Sequence, residues 1–216
     1  MSEGPPLFVA CETNNLPLLI EALKTNPVDC PSPNQAFTPL MVAANRASID
    51  LVTYLLEKGA AVNAQSEGGY TALILAITSS KEMAAIHAMN ESSEGSDPSL
   101  LVIKKLLEAG ADVNISTGGG NRALQEASLH GNADIVKLLL DKGAEVNSAN
   151  TWKETALMSG SLSNGSAEVI QLLLSAGADP LAKDVDGMTA LDLAEKSGNT
   201  AVINVLKGIV HKETPL

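Results

Sequence analysis

The chain has 216 residues, long enough for one or two domains, with 14 Lys+Arg against 25 Asp+Glu and a formal net charge of -11. Apolar residues make up 45 % but aromatics only 2 %, which excludes an acidic disordered tail and argues against an aromatic-rich β core. The acidic balance also argues against nucleic-acid binding, which needs a basic surface.

In chain order, Met1–Glu12 lacks the basic start and long apolar core of a secretory signal. No apolar run approaches the roughly 20 residues that span a bilayer, the longest being Ala72–Ile77. These features predict a soluble, cytoplasmic chain in which Cys11 and Cys30 are free thiols. Four runs are closely similar: LLEKGAAVN ending at Asn63, LLEAGADVN at Asn114, LLDKGAEVN at Asn147 and LLSAGADPL at Leu181. Ahead of them stand helix starts at Thr38, Thr71, Arg122 and Thr155, with a further one at Thr189 and a degenerate one at Pro5–Leu7. The five clear starts are spaced by 33, 51, 33 and 34 residues, so the second interval carries an 18-residue insertion. A period of this length means stacked units, each too small to bury its apolar face alone. Within a unit, a Thr caps a short helix, a second Leu-rich helix follows, and Gly59, Gly110, Gly143 or Gly177 ends it in a left-handed C-cap.

With this register the chain resembles an ankyrin-repeat protein. The resemblance implies an all-α solenoid of helix-turn-helix units with β-hairpin fingers, in one domain of six repeats over about 4–32, 33–65, 66–116 (insertion 80–97), 117–149, 150–183 and 184–207, with a tail at 208–216. The family places a His three residues after the Thr, where it ties neighbouring hairpins together. Here that slot holds Met41, Ile74, Gln125, Met158 and Asp192, so packing is expected to replace the tie in several layers. Arg122 and Glu126, four apart on one helix, are expected to form a compensating ion pair, the alternative being that Glu126 is an isolated buried functional acid. The Gly- and Ser-rich stretch Met158–Gly165 predicts a short first helix in the fifth repeat. In the insertion, Lys81–Asn90 either prolongs the first helix or forms a short one of its own. The acidic, Ser-rich 91–97 reads as a loop, either a solvated spacer or a partner-specific or phosphorylated element, and Asp97-Pro98 starts the next helix.

No catalytic constellation is present. His87, His130 and His211 are scattered, CxxC and HExxH are absent, and Gly-rich 117–121 lacks the Lys of a phosphate loop. Hence no catalytic residues, metal or cofactor are expected, and the chain reads as no enzyme. The N-x-S triplets at Asn90, Asn114 and Asn164 read as chance matches. In the hairpin slot, Asn63, Asn114 and Asn147 either satisfy hairpin backbone groups or, as the resemblance allows, are hydroxylated.

The resemblance further implies that a partner protein binds the concave face made of the fingers and first helices. Phe37, Asn45, Arg46, Tyr70, Asn121, Leu129, His130, Trp152, Glu154, Leu162 and Met188 map to it, with Asn34, Gln35, Glu67, Thr78, Ser79, Asp186 and Lys196. Phe37, Tyr70 and Trp152 are three of only five aromatics, at fingertips where they either anchor a partner or lie flat on the next finger. Leu129 and Leu162 share one first-helix slot, which either resembles a Ran-linked nuclear import determinant or is chance exposure. The expected function is a non-catalytic interaction module, or a regulatory subunit of an enzyme or signalling complex. It is expected to be monomeric, to bind neither nucleic acid nor membrane, and to prefer a partner with a basic surface.

Overall fold

A computed structural model describes residues 6–33, 36–89, 97–162 and 166–213, apart from the side chains at 81–89 and 210–213. The chain forms two compact units, Met1–Gly118 and Gly119–Leu216. In unit 1 the helices are α1 (Pro6–Glu12), α2 (Leu16–Ala22), α3 (Pro39–Asn45), α4 (Ile49–Glu57), α5 (Ala72–Met89) and α6 (Pro98–Glu108). In unit 2 they are α7 (Ala123–Leu129), α8 (Ala133–Asp141), α9 (Ala156–Ser161), α10 (Ala167–Ser175), α11 (Ala190–Ser197) and α12 (Thr200–Glu213).

Within each unit the helices pack in consecutive pairs and in two rows. First helices touch first helices (α1 to α3 to α5; α7 to α9 to α11), and second helices touch second helices (α2 to α4 to α6; α8 to α10 to α12). Three of the second helices, α4, α8 and α10, bury the same triad: Leu51, Val52 and Leu55; Ile135, Val136 and Leu139; Val169, Ile170 and Leu173, all 0 % exposed. That spacing puts the three side chains on one stripe of a helix, and each burial is worth about 1.5–3 kcal/mol. The first helices bury Ala beside Leu, as with Leu40, Ala43 and Ala44, so neighbouring rows come close without aromatics. Phe8 is the exception, an aromatic buried in the first layer.

The helix ends follow the sequence. Thr38, Thr71, Thr155 and Thr189 accept a hydrogen bond from the backbone N–H three residues on. Gly59, Gly110, Gly143 and Gly177 lie just past the second helices with φ between +83° and +89°. Asp97 caps α6 by accepting from Ser99 N–H at 2.9 Å, with Pro98 as the first helical residue. As expected, α9 is short, at six residues. There Gly160 keeps the packing close, since a Cβ would lie 3.3 Å from Ile170 and 3.4 Å from Val169. Of the two readings of Lys81–Asn90, the first holds: α5 runs on for 18 residues to Met89. Residues 91–96 of the insertion lie outside the described residues. Helix α12 continues to Glu213, into the stretch expected to be a tail.

The fingers are tight turns; among the described residues no strand forms, and one isolated antiparallel bridge joins Ala149 and Thr155. Each turn is closed by an N–H donating to a carbonyl a few residues on: Ser32 to Phe37, Ser66 to Tyr70, Asn150 to Glu154 and Asp184 to Met188, at 2.8–3.0 Å.

Candidate protein-binding face

In unit 1 the finger of Ser66–Tyr70 lies against the backbone at Thr117 and Gly118. Gly118 N–H donates to Gly68 O at 2.8 Å, and Gln65 Nε2 donates to both Gly69 O (3.0 Å) and Ser116 O (3.1 Å). Gly69 has φ +76°, and a Cβ on it would stand 2.7 Å from Gly118 N and 2.9 Å from Thr117 C, so no other residue fits. This close approach presents Tyr70, which is 38 % exposed. Phe37 is half-buried and lines a pocket of about 200 Å³ with Glu12, Met41, Val42, Asn45, Arg46 and Leu75. Three expected face residues, Phe37, Asn45 and Arg46, therefore converge on one concavity that offers an aromatic wall, a cation and an anion.

Unit 2 builds its face from a hydrogen-bonded network of amides and carboxylates. Asn150 Nδ2 donates to Asn121 Oδ1 (2.8 Å) and to Glu154 Oε2 (2.7 Å), and Asn121 Nδ2 donates to Glu126 Oε1 (3.2 Å). Asn150 Oδ1 in turn accepts from the N–H groups of Trp152 and Glu154, both at 2.9 Å, which holds the fingertip rigid. Trp152 is 54 % exposed, while Val185 N–H donates to its carbonyl at 3.0 Å from the next finger. The aromatic is thus exposed on a fixed backbone. Val185 itself is 56 % exposed, and its neighbours Asp184 and Asp186 add negative charge.

The slot three residues after the helix cap departs from the expectation. Met41 and Met158 are buried as predicted, yet their sulfurs also accept from the N–H of Thr38 (3.4 Å) and Thr155 (3.5 Å). Asp192 accepts from Thr189 N–H at 2.8 Å, and this bond, then the one from Thr189 Oγ1, holds its carboxyl below the usual range. At the start of α7 the inter-finger tie survives: Gln125 Oε1 accepts from Arg122 N–H (2.8 Å), and its Nε2 donates to Glu154 O (2.7 Å). An amide carries one acceptor and one donor group, as a neutral imidazole does, so Gln serves where packing alone was expected.

Other expected face residues divide as follows. Asn45, Arg46 and Thr78 are exposed; Asn121, Glu154 and Met188 are half-buried; Ser79 is buried with its hydroxyl donating to Ala76 O, so it leaves the face. Leu129 ends α7, His130 is the C-cap of that helix, and Leu162 is the C-cap of α9, all half-buried. Asn34 and Gln35 lie outside the described residues. Two exposed apolar residues in the last fingers, Leu181 (57 %) and Val185, were missed, because nothing in their spacing separates a fingertip from a core position. Asn63 and Asn147 satisfy backbone groups: Asn63 bonds Gly110 O and Asp112 N–H, and Asn147 bonds Gly177 O and Asp179 N–H, at 2.8–3.1 Å. Asp29 does the same for Ala61 N–H. Both cysteines are free; burial, with the nearby Glu12 charge, pushes the Cys11 thiol up to about 12. Among the described residues no helix is long and apolar enough to cross a membrane.

A family model described as ankyrin repeats (3 copies) matches residues 7–92 and 88–184. Human cyclin-dependent kinase 4 inhibitor B is 35 % identical over 105 residues, covering 49 % of this chain and 75 % of that protein. The ankyrin repeat and KH domain-containing protein mask-1 of Caenorhabditis elegans is 26 % identical over 230 residues, which cover 99 % of this chain but 9 % of that protein. This chain therefore spans a small part of that relative. Among solved structures, a chain from the predatory endopeptidase Bd0816 of Bdellovibrio bacteriovorus in complex with immunity protein Bd3460 superposes with a TM-score of 0.77. It is 28 % identical, and the match covers 96 % of this chain and 99 % of that one.

Proposed function

The chain belongs to the ankyrin-repeat family, whose repeats mediate protein–protein interaction, and we propose that it binds its partner through the finger and first-helix faces described above. The observation that carries this reading is Trp152, the sole tryptophan, more than half exposed on a fingertip whose N–H and C=O are both held by hydrogen bonds. A large aromatic fixed in this way binds at little entropy cost, which is the property of interface anchors. Phe37, Asn45, Arg46 and Tyr70 form the corresponding surface of unit 1; Asn121, Leu129, His130, Glu154, Leu162 and Met188 accompany Trp152 in unit 2. Glu126, Glu154, Asp184 and Asp186, with the net charge of -11, favour a partner whose docking surface is basic. The chain acts by occupying that partner and has no chemistry of its own. It works as a cytoplasmic monomer of six repeats, with Leu129 and Leu162 able to support nuclear entry.

A regulatory role is the second reading. It is favoured by the near-complete match to a chain from an endopeptidase–immunity protein complex and by the likeness to a kinase inhibitor. The test is affinity purification from the source cells with wild type and Trp152→Ala side by side. A partner retained by the wild type and lost by the variant, at unchanged helicity, supports the reading. An unfolded Trp152→Ala refutes a contact role for that residue. A partner enzyme whose rate changes in the complex distinguishes regulation from passive scaffolding.

A further inference from the structure

The finger face is not the only concavity. In the row of second helices of unit 1, α2 stops at Ala22 after seven residues, whereas its neighbour α4 runs for nine, to Glu57. After Ala22 the chain turns away, with Thr25 N–H, Asn26 N–H and Asn26 Nδ2 all donating to Ala22 O. The segment after α2, with Leu23, Lys24, Asn26 and Val28, and the last turn of α4, with Tyr54 and Lys58, line a groove of about 540 Å³. Ile20, Leu23, Val28 and Tyr54 supply its apolar walls, and Ile20 is 39 % exposed. Its charged lining is Lys24 and Lys58, the first of which meets the Glu21 carboxylate at the groove edge. In a chain with 25 acidic and 14 basic residues the charged side chains lining this groove are both cations, whereas those on the finger face of unit 2 include Glu154, Asp184 and Asp186.

The two ammonium groups are placed as well as present. Lys58 Nζ sits 5.2 Å from the centre of the Tyr54 ring, a cation–π arrangement that holds the charge at the apolar wall. Lys24 Nζ meets Glu21 Oε2 at 2.6 Å, but both side chains are about two-thirds exposed (64 % and 68 %), so the pair is weak and the lysine can exchange it for another carboxylate. At physiological salt the Debye length is about 8 Å, so the net charge of the whole chain does not cancel these local cations.

We propose that this groove is a second docking site, which takes a segment of a protein partner carrying an aromatic or large aliphatic side chain flanked by carboxylates. The apolar side chain lies against Ile20, Leu23, Val28 and Tyr54, and the carboxylates meet Lys24 and Lys58. The site is independent of the finger face, and its test leaves that face intact.

The probe is a fluorescein-labelled peptide with a central Phe flanked by Glu, compared by fluorescence anisotropy with the same peptide flanked by Lys and with one in which Ala replaces Phe. All three are titrated with the full chain. Two exposed ion pairs predict about tenfold tighter binding of the acidic peptide than of the basic one, weakening as salt is added. Lys24→Glu/Lys58→Glu, two exposed changes that leave the fold intact, removes that preference. Tyr54→Ala weakens the Phe peptide toward the Ala peptide, and Trp152→Ala binds the acidic peptide as wild type does. Equal affinity for the acidic and basic peptides, or a double variant that binds like wild type, overturns the proposal. So does a chain found dimeric by sedimentation only while Lys24 and Lys58 are intact, which assigns the groove to a second copy. Tighter acidic-peptide binding on deletion of 91–96 assigns it to the chain's own insertion and overturns the proposal as well.

Discussion

Replacing Gly69 by Ala tests the finger packing against a control inside the same unit. Two terms act on Gly69→Ala. The first is the left-handed backbone at φ +76°, which costs a residue with a Cβ about 1–2 kcal/mol. The second is collision: the new methyl would lie 2.7 Å from Gly118 N, 2.9 Å from Thr117 C and 3.0 Å from Thr117 Cα. These are backbone atoms and cannot rotate aside. Relief requires the finger to move off, which lengthens the 2.8 Å bond from Gly118 N–H to Gly68 O and costs about 1–2 kcal/mol more. Gly59→Ala carries the same backbone term, at φ +83°, with nothing within 4 Å of its Cβ. The expected losses are about 3 kcal/mol for Gly69→Ala and about 1.5 kcal/mol for Gly59→Ala, or melting points lower by about 6–12 °C and 3–6 °C for a chain of this size. Thermal and urea unfolding followed by far-UV circular dichroism measure both. Hydrogen exchange at the Gly118 amide reports the local loosening if the units melt separately. Losses within about 0.5 kcal/mol of each other would refute the close approach, since the backbone term alone would then explain both variants.

Three further outcomes follow from single side chains. Gln125→Ala removes the tie between fingers and lowers stability by about 1–3 kcal/mol, whereas Gln125→His keeps it at pH 8 and loses it as the imidazole protonates below about pH 6.5, because the charged ring has no acceptor; urea unfolding at the two pH values measures this. Cys11 and Cys30 differ in a thiol titration with Ellman's reagent: the half-buried Cys30 reacts in the native chain and Cys11 only on unfolding. Because the folded Cys11 pKa is raised, its contribution is complete below the unfolded thiol value of about 8.5 and fades as pH climbs toward 12, so stability falls over that window in wild type and not in Cys11→Ala. Asp192 has the opposite sign. Its folded pKa lies below 3.8, so its contribution is complete above the unfolded carboxyl range and is lost as pH falls through the folded value; Thr189→Ala returns the carboxyl toward its ordinary range in an NMR titration.

How far the sequence was readable depends on whether a feature is local. The Thr caps, the C-terminal glycines and the Leu-Val-Leu stripe of the second helices are set within a few residues, and each was legible. The exposed Trp152 was legible as a fingertip, because the register counts directly to it. Gln125 was not: its role depends on Glu154 O, 29 residues away, and the missing His suggested a lost tie. The groove beside α4 was equally hidden, since its lining joins Ile20–Val28 to Tyr54 and Lys58, about 30 residues further on. Exposure of Leu181 and Val185, and burial of Ser79, depend on what the next layer covers, which periodicity does not encode.

The central claim is that a protein partner seats on the finger face carrying Trp152, and the sole tryptophan makes it directly measurable. With the purified partner, complex formation is established by calorimetry while tryptophan emission and acrylamide quenching are followed in the same titration, using a partner in which Trp is replaced by Phe. Emission that moves to the blue and a quenching constant that falls in step with saturation are the predicted result. Saturated binding that leaves both the emission and the quenching of Trp152 unchanged would contradict the claim.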